Sequence, residues 1–524
     1  MNVTKTVLKN VASSWVGLGS QILVTLLLTP FVIAKLGAEA YGIWLLMQGF
    51  VGYYGFVDMG LRAGLTQSIT RRIAEDDVDG VRRHIAAASP ILGGLALVIM
   101  SVALAVCFLL PHFVEMSEDL ASQIWLVVLF QAFGAAVKMP IQPFGAVLVG
   151  IQRYDIANAI GVLTRVLFAL LTWFALGAGA GLIGLSIVLM ATNCIDSLIR
   201  MVAARRLLPG IRGAGFTLDR GELREIANVG VWNFLIGISK QFIYFSDAIV
   251  VGILFSAKAV TPYGIAASLV DYGNKVIVSG TKVLFPTIAH LLKNGSIEEQ
   301  RSLYVTATRA TLGISSAIVT IGIIWITPFL EVWLESSPDK DMILADAPYV
   351  FLVLGVAFAF VGFQRVGIQF LLAKQRLRLV ATLMIVEALV NLVLSLVLGR
   401  TFGVIGVAYG TLIPALFLGL FAHLPILADM LELRLFRMLL VTLLKPAFFA
   451  CSIAALLSLI AVLLPRPSSW VELVGAGGIG LFAVVLCSPI LLSPDQLRAV
   501  SDRVRGAVAR KYQPGRAKAN EGKA

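Results

Sequence analysis

The sequence predicts an all-α polytopic membrane protein with about fourteen transmembrane helices, and three observations carry that prediction. Of the 524 residues, 58% are apolar and only 14% charged, and the mean hydropathy of +0.90 lies far from that of soluble globular domains. Apolar runs of roughly 20 residues, each long enough to cross a bilayer, recur from residue 11 to residue 492 without a long soluble insertion. The alternating pattern of a membrane barrel is absent, whereas a helix satisfies every backbone polar group within one segment.

Taken in order, the runs are 11–34, 41–66, 86–110, 121–150, 157–177, 180–203, 228–254, 259–285, 306–330, 347–372, 380–399, 403–428, 441–464 and 469–492. Lys5 and Lys9 precede the first without an A-x-A-like cleavage site, which reads as an uncleaved signal anchor. Pro140 and Pro143 should kink the fourth and free carbonyls there. Cys107, Cys194, Cys451 and Cys487 all fall within apolar runs, where a disulfide framework is not expected and small core residues are.

Charge sets the orientation. With a cytoplasmic N-terminus, that side's loops carry Arg71, Arg72, Arg82 and Arg83, then Arg205, Arg206, Arg212, Arg220 and Arg224, then Lys374, Arg376 and Arg378, and a basic tail from Arg498 to Lys523. The opposite loops hold only Lys35, Lys258, Lys340, Arg400 and Arg466. The positive-inside rule therefore puts both termini in the cytoplasm. The net charge of +12 is spread over short loops without an aromatic-interleaved patch, so topology and anionic headgroups account for it and nucleic acid does not. The polar tail reads as disordered or lying on the membrane surface.

The chain also repeats itself at an offset of about 222 residues, the trace of a duplicated transporter half. Tyr41-Gly42-Ile43 matches Tyr263-Gly264-Ile265, Gln152-Arg153 matches Gln375-Arg376, Gly181-Leu182-Ile183-Gly184 matches Gly403-Val404-Ile405-Gly406, and the openings 10–15 and 228–232 are alike. Each half holds six helices, an even number, so the two should relate by an axis along the membrane normal. The expected organisation is an N-terminal half over 1–205, a cytoplasmic linker over 206–227, a C-terminal half over 228–430, two added helices over 431–492 and a basic cytoplasmic tail over 493–524.

Asn10-Val11-Ala12-Ser13-Ser14-Trp15, Leu36-Gly37, Tyr41-Gly42-Ile43-Trp44, and Tyr53-Tyr54-Gly55-Phe56-Val57-Asp58-Met59-Gly60-Leu61 followed by Arg71-Arg72 carry a resemblance. This opening resembles that of Wzx-type polysaccharide-unit flippases, in the multidrug/oligosaccharidyl-lipid/polysaccharide exporter superfamily. The resemblance is specific over roughly the first 90 residues and rests on topology and the duplication beyond them. It implies two six-helix bundles in a V around a central cavity with two extra helices beside it. It implies as cargo an undecaprenyl-diphosphate-linked oligosaccharide, an O-antigen or exopolysaccharide repeat unit, moved from the cytoplasmic to the periplasmic leaflet of a bacterial inner membrane. Membrane lipids, the lipid-linked cargo, and a polysaccharide polymerase or export machinery are the partners implied.

Two relatives fit less well. The lipid II flippase resembles the chain in helix number, but TPFVIAKLG stands where an arginine-containing motif would end the first helix. Drug extruders of the superfamily have twelve helices and an acid in the first, and here the first is uncharged. A multidrug or lipid II exporter remains the alternative, with a membrane enzyme on lipid-linked sugars behind it. The longest outer loop has about 16 residues, an ordinary connection. Asp339-Lys340-Asp341 has a D-x-D form in a loop of ordinary polar composition, and no P-loop, nucleophile elbow or metal-ligand cluster occurs.

Eleven ionisable residues sit deep inside the apolar runs: Asp58, Arg62, Lys138, Arg165, Asp196, Lys240, Asp247, Asp271, Lys275, Arg365 and Glu387. Each is costly there unless it meets a partner or a wet cavity. Asp58 and Arg62, Asp196 and Arg200, and Asp271 and Lys275 are spaced i,i+4, so each pair can neutralise itself on one helix face or serve cargo. Lys240 and Asp247 share a face about 10 Å apart, too far for contact, and would line a cavity or find partners on other helices. Lys138, Arg165 and Arg365 lack an acid on their own helix and are the leading diphosphate contacts, with Lys240, Arg62 and Lys275 as further substrate-binding candidates. An Arg365 to Glu387 pair between helices is the rival reading.

Asp58, Asp247, Asp271 and Glu387 are the candidates for coupling to a proton or sodium ion. No other cofactor is expected, and His84, His112, His290 and His423 lack metal-ligand spacing. Tyr53, Tyr54, Trp232, Tyr244 and Tyr272 could stack on sugar rings, with packing or an interfacial belt as the simpler role.

Overall fold

The structure is a computed structural model that describes residues 3–213, 215, 220–282 and 284–491, without the side chains of 3–12, 51–63, 220–231 and 233. The basic tail, and the side chains of Asp58 and Arg62, fall outside the described residues. Among the described residues there is no strand. A helical run, Val3–Ala74, would stretch about 108 Å if straight, more than three bilayer cores of roughly 30 Å. Gly37, at φ 79° and ψ 167°, breaks it into α1 (residues 3–36) and α2 (residues 38–74). Only glycine adopts that conformation readily.

There follow α3 (Val78–Phe113), α4 (Glu118–Gly150), α5 (Tyr154–Gly177), α6 (Gly181–Leu207), α7 (Arg220–Leu254) and α8 (Ala257–Lys282). A short helix, Phe285–Asn294, leads to α9 (Ile297–Trp333), α10 (Lys340–Ala373), α11 (Leu377–Phe402) and α12 (Val404–Leu418). The last continues through a π turn, Gly419–His423, into Leu424–Met430, before α13 (Leu435–Leu463) and α14 (Trp470–Cys487). Thirteen helices among the described residues are long and apolar enough to cross a membrane, and since the first of them runs through the Gly37 break the crossings number fourteen.

The expected boundaries miss the polar first turns. Helix α9 starts at Ile297 rather than 306 because Ser296 and Glu299 form a capping box: the Ser296 hydroxyl accepts the Glu299 N–H, and Glu299 accepts the Ser296 N–H at 2.7 Å. Helix α4 continues through Pro140 and Pro143 as one element.

Helix α1 packs on α5, α2 on α4, α3 on α4, and α4 and α5 on α6. The same relations return six helices later, with α7 on α11, α8 and α9 on α10, and α10 and α11 on α12. The two Gln-Arg matches occupy the same helix stop. Gln152 and Gln375 take left-handed φ values of 60° and 58°. Arg153 N–H then donates to Leu148 O at 2.9 Å, and Arg376 N–H to Leu371 O at 3.0 Å.

Helices α13 and α14 lie against α9. Two arginines of α9 fasten α13 and the turn before it: Arg301 donates to Leu431 O (2.6 Å) and Glu432 O (2.9 Å), and Arg309 to Val441 O (2.7 Å). Arg309, near the start of the apolar run 306–330, is not among the eleven charges.

The halves are sealed at the face that carries Gly37. Asp339 accepts the Ala38 N–H at 2.8 Å and pairs with Lys258 at 3.1 Å, joining the α1–α2 corner to the start of α8. Thr261 donates to Ala38 O (2.5 Å), Ala257 N–H to Glu115 O (3.0 Å), and Trp333 Nε1 to Leu26 O (2.7 Å). Helix α2 comes so near that a Cβ on Gly42 would lie 1.8 Å from Ala257 O. The D-x-D carboxylate of Asp339 is thus committed to holding this face shut.

Asp339→Ala is expected to loosen the seal. It removes a carboxylate shared by two donors, worth about 1.4 kcal/mol or tenfold after allowance for the exposed lysine. A cysteine at Thr261, in a chain whose four native cysteines are replaced, should then react about tenfold faster with a membrane-impermeant maleimide. Unchanged reactivity would count against the seal.

Candidate functional site

In the first half, α2, α4, α5 and α6 enclose a cavity of two adjoining lobes, ≈ 280 Å³ and ≈ 320 Å³. Both lobes are lined by Lys138, Gly161, Arg165, Asp196 and Arg200. Lys138, Arg165 and Asp196 each stand about 17 Å along their helices from the end opposite the Gly37 face, at mid-membrane depth. Among the described lining residues three basic side chains, Lys138, Arg165 and Arg200, stand beside one carboxylate, Asp196.

Local geometry fixes each group. Arg200 clasps Asp196 with two bonds, Nε to Oδ2 at 2.7 Å and Nη2 to Oδ1 at 3.1 Å, the i,i+4 pair expected from spacing. Arg165 reaches from α5 to α1, donating to Gly17 O (3.0 Å) and the Ser20 hydroxyl (3.2 Å). These partners are neutral, so its charge stays available to an anion in the cavity. Gly161 lines the cavity between them: a Cβ there would make ordinary contact with Arg200 at 3.5 Å and Arg165 at 3.6 Å.

The second half presents a different surface. Arg365 on α10 donates to the Tyr244 hydroxyl on α7 at 3.0 Å and, through the same nitrogen, to Asn274 Oδ1 on α8. Asn274 Nδ2 donates to Tyr244 (3.1 Å) and to Asp271 (3.3 Å), and Asp271 pairs with Lys275 at 2.9 Å. The expected alternative of an Arg365 to Glu387 pair is not realised: Glu387 is buried on α11 and makes no ion pair among the described residues. Lys240 likewise makes none, which leaves it as a cation in the second half.

Asp247 is 4% exposed and lies apart from this surface. It accepts from Tyr263 of α8 (2.6 Å), Ser395 of α11 (3.1 Å) and Thr411 of α12 (2.5 Å). Asn391 donates to Thr411 at 2.9 Å and to Gly410 O at 3.3 Å, and accepts from Ser246. The result is an oxygen-rich pocket with one formal negative charge and neutral hydroxyl donors. Among the described residues no group of three or more His, Cys, Asp or Glu could hold a metal ion.

Of the residues singled out by sequence, the structure gathers Lys138 and Arg165 in one cavity, and Arg365, Asp271 and Lys275 on one wall. Asp58 and Arg62 are outside the described side chains. Arg200 as a cavity residue, and the Tyr263, Asn391, Ser395 and Thr411 shell of Asp247, escaped sequence reasoning. Asn391 within the apolar run 380–399 was the one signal for that shell.

A family model described as polysaccharide biosynthesis protein matches residues 7–292. No curated protein matches the chain. Among solved structures, it is similar to an inward-facing multidrug resistance MATE transporter of the MOP superfamily, with 18% identity, coverage of 78% of this chain and 95% of the other, and a TM-score of 0.68. It is similar to the lipid II flippase MurJ in an inward closed conformation, with 14% identity, 93% and 98% coverage, and a TM-score of 0.68. It is also similar to a MOP superfamily transporter from Pyrococcus furiosus, described as having a binding pocket of reversed polarity, with 17% identity, 82% and 97% coverage and a TM-score of 0.58.

Proposed function

The chain belongs to the polysaccharide biosynthesis protein family, and from that premise we propose that it is a flippase for an undecaprenyl-diphosphate-linked oligosaccharide, an O-antigen or exopolysaccharide unit. One observation carries the reading: the mid-membrane cavity where Lys138, Arg165 and Arg200 outnumber Asp196. A lining so rich in cations at that depth favours an anionic group such as a diphosphate. The same charge disfavours the organic cations that a drug exporter would take. The fold shared with MurJ, a lipid II flippase, supports a lipid-linked cargo.

By the positive-inside rule the face opposite Gly37 is cytoplasmic, with both termini there, and the Gly37 face is periplasmic in a bacterial inner membrane. The diphosphate enters the cavity from the cytoplasmic leaflet while the polyprenyl chain stays in lipid. Breaking the seal around Asp339 and rocking the halves then exposes the sugar to the periplasm, where polymerase or export machinery takes it up. Asp247 with Ser395, Thr411 and Asn391 offers oxygens for one proton or sodium ion, the chemistry of a hard cation site. Its charge would bias the reset between the two states.

Purified protein in nanodiscs is expected to bind undecaprenyl diphosphate about 30-fold more tightly than undecaprenol, equivalent to ~2 kcal/mol of charge-assisted contact. Equal affinities would overturn the assignment.

A further inference from the structure

Tyr244 stands about 15 Å along α7 from its Gly37-face end, deep in the membrane, yet it is 43% exposed. Its hydroxyl is held by Arg365 and Asn274. A guanidinium so placed cannot face hydrocarbon, so the free side of the ring faces a wet cleft.

The planar groups of Asn274 and Arg365 meet the Tyr244 hydroxyl, Asn274 leads on to Asp271, and Arg365 Nε is buried with no partner among the described residues. Asp271 is paired with Lys275 and bonded to Asn274. The wall therefore sets a paired carboxylate and a carboxamide beside the Arg365 guanidinium. An exposed aromatic face flanked by carboxylate, carboxamide and guanidinium matches a sugar ring, whose C–H face packs on the aromatic and whose hydroxyls take both donors and acceptors.

Position agrees with chemistry. Tyr272, next to Asp271, lies beside Thr25 of α1, and Arg165 of the first cavity donates to Gly17 O of the same helix. Thr25 and Gly17 are about 12 Å apart along α1, so α1 links the cavity to the wall. A sugar joined to a diphosphate can therefore span them.

We infer that the wall formed by Tyr244, Asn274, Asp271 and Arg365 is the sugar subsite, and so the part of the protein that discriminates among oligosaccharides. This rests on the flippase reading. In it the first half holds the diphosphate common to every lipid-linked unit, and the second half reads the hydroxyl pattern of the sugar next to it.

Two probes separate the roles: undecaprenyl diphosphate, and the undecaprenyl-diphosphate-linked oligosaccharide fraction extracted from the source organism. Binding to purified protein in nanodiscs is measured for wild type, Tyr244→Ala, Asn274→Ala and Tyr244→Phe. The two alanine variants should each lose about tenfold in affinity for the sugar-bearing lipid and stay within about twofold of wild type for the bare diphosphate. Tyr244→Phe, which keeps the ring, should lose less than Tyr244→Ala. Binding of the bare diphosphate also reports whether each variant is folded. Equal losses for both probes, no loss for either, or equal wild-type affinity for the two probes would overturn the subsite. A wild-type protein that binds neither probe would overturn the flippase reading itself.

Discussion

Lys138→Met is expected to slow transport steeply while leaving the protein in the membrane at normal abundance. A charge-assisted contact to phosphate is worth about 1.5–3 kcal/mol, so its loss slows flipping by roughly 10- to 150-fold. Arg165→Met should match it, with an added loss of the α5 to α1 link through Gly17 O and Ser20. Arg165→Lys separates the two roles, since it keeps the charge but not the fork. Its transport should lie between wild type and Arg165→Met. Flipping rates in vesicles, normalised to immunoblot abundance, check these values. Normal rates for both Lys138→Met and Arg165→Met would sink the phosphate assignment.

Asp247→Asn is expected to uncouple transport from its driving gradient. One charge moved across 100 mV is worth about 2.3 kcal/mol, equivalent to a roughly 50-fold leaflet ratio of cargo. In vesicles with an imposed potential and a proton or sodium gradient, the wild type should approach that ratio, and Asp247→Asn should equilibrate cargo with no dependence on either gradient. The amide is nearly isosteric and can still accept from Tyr263, Ser395 or Thr411, so a loss of fold would not mimic this result. Wild-type transport indifferent to pH, sodium and potential would remove Asp247 from the cycle.

Much of the fold was legible because a bilayer makes it so: apolar length predicts crossings. The early turns of α9 were not, because Ser296 and Glu299 start a helix that water, not lipid, surrounds. The kinked pairing of α1 and α2 was legible only as two apolar runs; the Gly37 dihedral that joins them is a property of one glycine in context.

The candidate site was legible as a set of costly residues and illegible as a set of neighbours. Spacing gave the Asp196–Arg200 and Asp271–Lys275 pairs, since both members share a helix. It misplaced Arg365, whose partners Tyr244 and Asn274 come from two other helices. It also could not show that Arg200 serves two purposes, neutralising Asp196 and lining the cavity beside Arg165. Hydroxyls such as Ser395 and Thr411 are common in membrane helices, so only tertiary packing singles them out around Asp247.

The central claim is that this chain moves a lipid-diphosphate oligosaccharide across the membrane without altering it. Its direct test is reconstitution into proteoliposomes with the labelled lipid-linked oligosaccharide on one leaflet, with sugar exposure on the other leaflet and the lipid's chemical identity scored together. The account predicts protein-dependent exposure of intact substrate, lost in Lys138→Met. Exposure no faster than in empty liposomes, or a sugar that is transferred or cleaved, would contradict it.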